Sequence, residues 1–232
     1  MVRCKVGATL PELRASGLAA ATGDVVLLTD DSCVARGNWA PLLMASFVPD
    51  VDVAGGPIVG GMDGGMVDAA ASLAEFGFYG PLQEESAAPA LACANVGYHR
   101  RVLADVIRWS SACQWDAEVH QRLAAAGARF RLVRAANVEP QAGRGVREFC
   151  RDRYAHGREY GEMRGAKEAR LVRLLRVVTS PLLPPLLAFR VWRTAGRARP
   201  WGFARALPLV LLFFGAWSVG EAVGYLRAKG ET

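Results

Sequence analysis

The sequence predicts an α/β domain followed by a basic, leucine-rich region that associates with membranes. Three observations point there. A short apolar run, Val25-Val26-Leu27-Leu28-Thr29, ends abruptly in two adjacent carboxylates, Asp30 and Asp31. Helix-like and strand-like segments alternate through the first 165 residues. Beyond them arginine and leucine accumulate together.

The run at Val25 has the length and β-branched start of a buried strand. In open α/β sheets, ligands sit just beyond the carboxyl ends of the strands. Two acids at that place suit a hard divalent cation, which binds oxygen and often bridges to a phosphate. The same residues fit a strand that ends in an acidic, solvated turn, and the spacing alone leaves both readings open.

The other elements follow in order. Val2–Val6 reads as a short strand. Leu10–Ala21 reads as a helix: Thr9 and Glu12 have capping-box spacing, Pro11 suits the first turn, and Gly23 suits a left-handed cap. Asn38–Phe47 is a second helix, and Val51–Ala54 is again strand-like. The glycine-dense stretch 55–65 lacks the lysine and hydroxyl residue of a P-loop, so it reads as turns, with phosphate cradling the lesser alternative. Val67–Phe78 is a helix and Glu84–Pro89 a mobile polar loop. Leu91–Val96 leads into a helix from about Tyr98. Asp116–Ala126 is a helix closed by Gly127, and Arg129–Val133 a strand. Val146–Met163 has apolar or small residues at 146, 149, 150, 154, 157 and 160, which is helical spacing.

Charge is unevenly distributed. Residues 1–140 carry 11 Lys/Arg against 15 Asp/Glu, whereas 141–205 carry 15 against 5. A basic segment of that strength implies a polyanionic partner: nucleic acid, anionic lipid or a phosphate-rich ligand. Nucleic acid is disfavoured, because the basic residues flank leucine-rich segments and no recognition motif or aromatic stacking platform accompanies them. The five cysteines are scattered without a C-x-x-C pair, which argues against a zinc ribbon or a redox dithiol. Free buried thiols in a reducing compartment are the plain reading. Met1–Lys5 is not followed by an apolar segment, so no signal peptide is expected.

At the C-terminal end, Leu171–Trp192 is interrupted by Pro181, Pro184 and Pro185. Its uncharged run 177–189 is too short to span a bilayer and suits an interfacial or re-entrant segment. Ala206–Leu226 has one charge, Glu221, and is marginally long enough to span. It also fits a buried core helix. The arginines between the two segments favour the cytoplasmic side.

Three motifs in one order resemble family 2 glycosyltransferases of the GT-A fold. The first is Gly17-Leu18-Ala19-Ala20-Ala21-Thr22-Gly23-Asp24, leading into the acid-tipped strand with Asp30-Asp31. The second is Ala94-Asn95-Val96-Gly97-Tyr98-His99-Arg100-Arg101. The third is Trp115-Asp116-Ala117-Glu118-Val119-His120-Gln121-Arg122-Leu123 with Ala126-Gly127. Gly220-Glu221-Ala222-Val223-Gly224-Tyr225-Leu226 is similar to the tail of membrane-associated members. The resemblance implies a mixed sheet flanked by helices. It also implies inverting transfer of a sugar, as in a hexosyltransferase, from a nucleotide-diphospho-sugar to a hydroxyl of a saccharide or lipid-linked acceptor. Cell-surface or exopolysaccharide synthesis is the implied setting. The catalytic part would lie on the cytoplasmic face of the inner membrane, against membrane lipids.

By that resemblance Asp30 and Asp31 hold a divalent metal (Mn2+ or Mg2+) and the donor diphosphate, and Asp116 is the general base. Asp116 also fits an ordinary helix cap. Asn95 either meets sugar hydroxyls or satisfies a turn. Arg158, in a His-Gly-Arg element, either steadies the diphosphate or is a surface arginine, the second being the plainer reading. Glu118 is either a second acid or a solvated helix residue. His120 pairs with Asp116 on one helix face. Arg100 and Arg101 face solvent or phosphate.

Two features depart from the family pattern. Ser32 stands where a third acid is expected, which implies low metal affinity. The strands that grip the nucleotide base would precede Val2, so an upstream extension of roughly 50–80 residues, about two β-α units, is expected. The resulting division is 1–165, a partial GT-A domain, and 166–232, a membrane-associated region. The competing reading is a non-catalytic relic that serves as a membrane-bound scaffold.

Overall fold

The computed structural model describes residues 10–60, 64–83, 90–112 and 116–228. The strand expected at Val2–Val6, the Thr9 cap and the loop at Glu84–Pro89 lie outside the described residues. In chain order the elements are α1 (Leu10–Ala20), β1 (Val25–Leu28), β2 (Cys33–Ala35), α2 (Trp39–Ser46), β3 (Val53–Gly55), α3 (Met66–Phe76), β4 (Val96–His99), α4 (Arg100–Ala112) and α5 (Asp116–Ala125). There follow β5 (Phe130–Leu132), β6 (Val138–Pro140), α6 (Val146–Ala166), α7 (Arg170–Thr179), α8 (Leu183–Thr194) and α9 (Pro200–Arg227). The protein is thus mixed α/β, with a small mixed sheet and a predominantly helical remainder.

It divides into two compact units. One holds residues 1–59 and 79–141; the other holds 60–78 and 142–232. The sequence put the division at 165–166. Instead α6 belongs wholly to the second unit, and α3 joins it from the middle of the chain. The cause is apolar: Ala69, Ala70 and Leu73 of α3 share one core with Phe149 of α6 and Val210, Phe213 and Phe214 of α9.

In the first unit the sheet order is β1-β4-β3-β5. Strand β4 is antiparallel to both neighbours, and β3 and β5 run parallel. Strands β2 and β6 form a separate antiparallel ribbon. Val53, Val96 and Tyr98 present one sheet face to Leu18 of α1, Leu103 and Val106 of α4, and Val119 and Leu123 of α5. On the other face Gly97 sits under Leu27 and the Phe47 ring, where a Cβ would come within 2.6 Å of the leucine.

Strand β4 corrects the sequence reading, which started a helix near Tyr98. Its four residues, Val-Gly-Tyr-His, carry a glycine in the middle, which masks the strand signal. Gly23 also departs from expectation: it is absent from the positive-φ glycines, and α1 ends three residues before it. Gly127 does adopt φ +90° after α5, with Gly127 and Ala128 N–H donating back to Ala124 and Leu123 carbonyls. Pro184 and Pro185 do not interrupt the chain between Arg170 and Thr194. They sit in the first turn of α8, where the missing N–H has no intrahelical partner to lose, and a short 3-10 turn at Ser180–Leu182 links α7 to α8.

Candidate functional site

Sheet register sets the position of the site. Leu28 at the end of β1 pairs with Val96 at the start of β4, and Gly55 at the end of β3 pairs with the same Val96. Leu132 at the end of β5 pairs with Gly55. The carboxyl ends of β1, β3 and β5 therefore share one edge, the edge where ligands of open α/β sheets collect. Asp30 and Asp31 emerge there from β1.

The two acids occupy a tight turn. The Asp30 carbonyl accepts the Cys33 N–H at 3.0 Å, which makes Asp30 the first residue of a β-turn, a position that favours Asp. Gln141, just past β6, fastens the turn twice: its N–H donates to the Ser32 carbonyl at 2.8 Å and its Nε2 to the Asp31 carbonyl at 2.9 Å. Arg14 of α1 reaches the Asp30 carboxylate at 3.1 Å. The Asp31 residue is exposed. Among the described residues no three of His, Cys, Asp and Glu gather in metal-ligating geometry. The donor set is two carboxylates on a held turn, one of them already sharing a cation. That set fits a Mg2+-type ion completed by substrate phosphate oxygens, since such ions use one or two carboxylates and keep other positions open.

Asn95 is fully buried and its amide is spent on the fold. Its Nδ2 donates to the Pro57 carbonyl at 3.0 Å and to the Ala136 carbonyl at 2.8 Å, while its Oδ1 accepts the Trp39 indole N–H at 2.7 Å. It clasps the segments that leave β3 and β5 at the same edge. The expected contact with sugar hydroxyls is corrected accordingly: both amide protons already have acceptors, and the turn-satisfying alternative is the one realised.

Asp116 heads α5. That helix packs on the sheet through Val119 and Leu123 and turns tightly into β5. Helix and strand therefore run in opposite directions, and the head of α5 faces the edge at which β5 ends. Four residues on, His120 is buried, and its Nε2 lies 2.7 Å from the Tyr98 hydroxyl of β4. His120 thereby joins α5 to the central strand β4.

The other polar residues have structural partners. Glu118 pairs with Arg122 at 2.8 Å, one turn along α5, as a solvated helix pair does. Arg100 donates to the Ala21 and Gly23 carbonyls at 2.8 and 2.7 Å, satisfying the end of α1. Arg101 holds the Asp52 carboxylate and the Val51 carbonyl. Both arginines are nonetheless exposed, as the sequence expectation of facing solvent or phosphate requires. Arg158 belongs to α6 in the second unit, beside Glu162 at 3.6 Å. Arg14, Trp39 and Gln141 were missed by the sequence reading. Only Arg14 left a signal, as the sole cation of α1.

No protein-family model matches the chain, and no curated protein or solved structure matches it significantly.

Proposed function

We propose that the first unit carries an inverting glycosyl transfer, from a nucleotide-diphospho-sugar to a hydroxyl of a saccharide or lipid-linked acceptor, at the cytoplasmic face of the inner membrane. The observation that carries this reading is the shared sheet edge. The Asp30–Asp31 turn and the head of α5, with Asp116, both lie toward the carboxyl ends of the parallel strands. The mixed sheet flanked by helices supports it further.

Each residue type has a task in that chemistry. Asp30 and Asp31 would hold a divalent ion, which supplies Lewis-acid neutralisation of the departing diphosphate. Arg14 orients Asp30 and adds positive charge at the same edge. Asp116 takes the proton of the attacking hydroxyl, a step worth about 10²–10⁴ in rate. Its place at a helix N-terminus favours the ionised form that a base needs.

The scaffold reading has its own support: Ser32 offers no carboxylate, Asp30 is already paired with Arg14, and Asn95 is consumed internally. Calorimetry with a panel of nucleotide sugars, with and without manganese, separates the two. Manganese-dependent binding, followed by release of nucleoside diphosphate when acceptor is added, is the expected outcome. A folded chain that binds no donor would leave only the scaffold.

A further inference from the structure

Two helical stretches, Arg170–Thr194 and Pro200–Arg227, are long and apolar enough to cross a membrane. Their surroundings within the second unit differ sharply. Helix α9 is locked to α6 by glycines. A Cβ on Gly157 or Gly161 would strike the carbonyl of Trp217 or Glu221, and one on Gly220 or Gly224 the carbonyl of Tyr154 or Arg158. The outer faces of α6 carry Arg147, Arg151, Asp152 and Glu159, all exposed or half-buried. A spanning α9 would draw these charges into hydrocarbon at about 2.5–3.5 kcal/mol for each central one. The one acid of α9, Glu221, is satisfied within its own helix by the Trp217 N–H and the Tyr225 hydroxyl, each at 3.0 Å. Helix α9 is thus held by α6 within the second unit and is the less exposed of the two stretches.

The α7–α8 stretch is almost entirely unburied. Leu171, Leu175, Val178, Leu182, Leu186 and Phe189 are exposed, from 52% at Leu186 to 79% at Leu171. Their spacing of 4, 3, 4, 4 and 3 residues averages one helical turn, so they form one stripe along five turns. The opposite face is engaged. Arg173 donates to the Ala228 carbonyl, Arg176 grips Glu168 with two bonds at 2.6 and 2.7 Å, and Ala188 and Val191 enter the core. From Ala169 to Gly220 the chain has eight arginines and no Asp or Glu. Trp201, 83% exposed, follows the arginine-rich turn.

We propose that α7 and α8 form an in-plane anchor on an anionic bilayer. The 171–189 stripe lies in the boundary between headgroups and acyl chains, with the exposed Arg170 and Arg193 at headgroup level. Amphipathic helices with one apolar face and basic flanks bind in this way, by buried apolar area plus attraction to anionic lipid. The absence of any acid over 52 residues selects a lipid surface over an ordinary protein partner, which would present both signs of charge. The anchor does not rest on the sugar-transfer reading, and lipid binding is measured without donor, so the two fail separately.

The test is flotation of the full chain with phosphatidylcholine vesicles, with and without phosphatidylglycerol. Binding should be stronger on the anionic vesicles and fall with added salt. Leu175→Glu/Leu182→Glu, at exposed positions, should weaken binding about tenfold or more with an unchanged unfolding midpoint. Arg170→Gln/Arg193→Gln should weaken it roughly thirtyfold on anionic vesicles only. Trypsin added outside should cut at both the Arg170–Arg176 and Arg190–Arg199 ends. Undiminished flotation of the leucine variant overturns the proposal. So does protection of one end from trypsin, the mark of a spanning helix. So does self-association that the leucine variant abolishes in a chain that never floats, which would assign the stripe to a second copy.

Discussion

The Tyr98 hydroxyl lies 2.7 Å from His120 Nε2, which ties the central antiparallel strand to the helix headed by Asp116. One turn of helix separates His120 from Asp116. The bond therefore sets how α5 is seated on the sheet. A double-mutant cycle of Tyr98→Phe and His120→Phe should return a coupling of about 1 kcal/mol in urea unfolding. Strict additivity would reduce the pair to neighbours without interaction.

Asp116→Asn keeps the side-chain shape and, because Asn caps helices as well as Asp, keeps the helix start. It removes the base. Sugar transfer in single turnover should fall about 10²–10⁴-fold while donor affinity stays level. Equal turnover by variant and wild type would confine Asp116 to capping.

The acidic turn offers a test with opposite signs. Asp30→Ala and Asp31→Ala each remove an oxygen ligand and should lower manganese-dependent donor affinity about tenfold or more. Arg14→Ala removes a cation that shares the Asp30 carboxylate, so metal affinity should rise. Calorimetric titration of manganese into all four proteins decides it. Indistinguishable isotherms from a wild type that does bind would sink the metal assignment.

Glycine substitution in α6 should also break the usual rule. In an exposed helix, Gly→Ala stabilises by about 0.5–1 kcal/mol through backbone entropy. At Gly161 the new methyl would meet the Glu221 carbonyl, backbone that cannot step aside. Gly161→Ala should therefore destabilise by about 1–3 kcal/mol, and Gly161→Leu by more. Gly215, where an added Cβ meets nothing, should tolerate Ala. A stabilised Gly161→Ala would mean that the two helices are not held this closely.

Much of this architecture was legible in sequence, and the failures have physical causes. Helices with long periodic faces were found close to their true ends: Leu10–Ala21 is α1 plus one residue, and Val146–Met163 is α6 short by three. The strand that joins the sheet, β4, escaped because four residues with a central glycine carry no periodicity. Strands β2 and β6 have three residues each and escaped for the same reason. Asn95 was noticed, but its partners Trp39, Pro57 and Ala136 lie 38 to 56 residues away, a relation that local spacing cannot encode. The glycines at 157, 161, 165, 220 and 224 stood in plain view at four-residue spacing. Gly157 was counted in a small-residue helical face and a His-Gly-Arg element, and Gly220 and Gly224 in a family-like tail. They are instead the two faces of one close helix contact.

Asp52 gives a prediction in acid. Burial by itself would raise its carboxyl, but the Arg129 N–H at 2.8 Å and the Arg101 guanidinium outweigh that and hold it below the ordinary carboxylate value. A depressed carboxyl in the folded state means that the unfolded chain binds the proton more readily. The stabilisation is complete above the unfolded value, near pH 4, and is lost as pH falls through the lower folded value. Asp52→Asn presents an amide N–H to one of two donors and should cost about 1–3 kcal/mol at pH 7. Urea unfolding of both proteins from pH 7 down to pH 3 tests this. The gap between them should stay constant to about pH 5 and then narrow, because the wild-type carboxylate is protonated and the variant has no charge to lose. A gap that persists unchanged at pH 3 would show that packing around Asp52, and not its charge, holds β3 to β5 and α4.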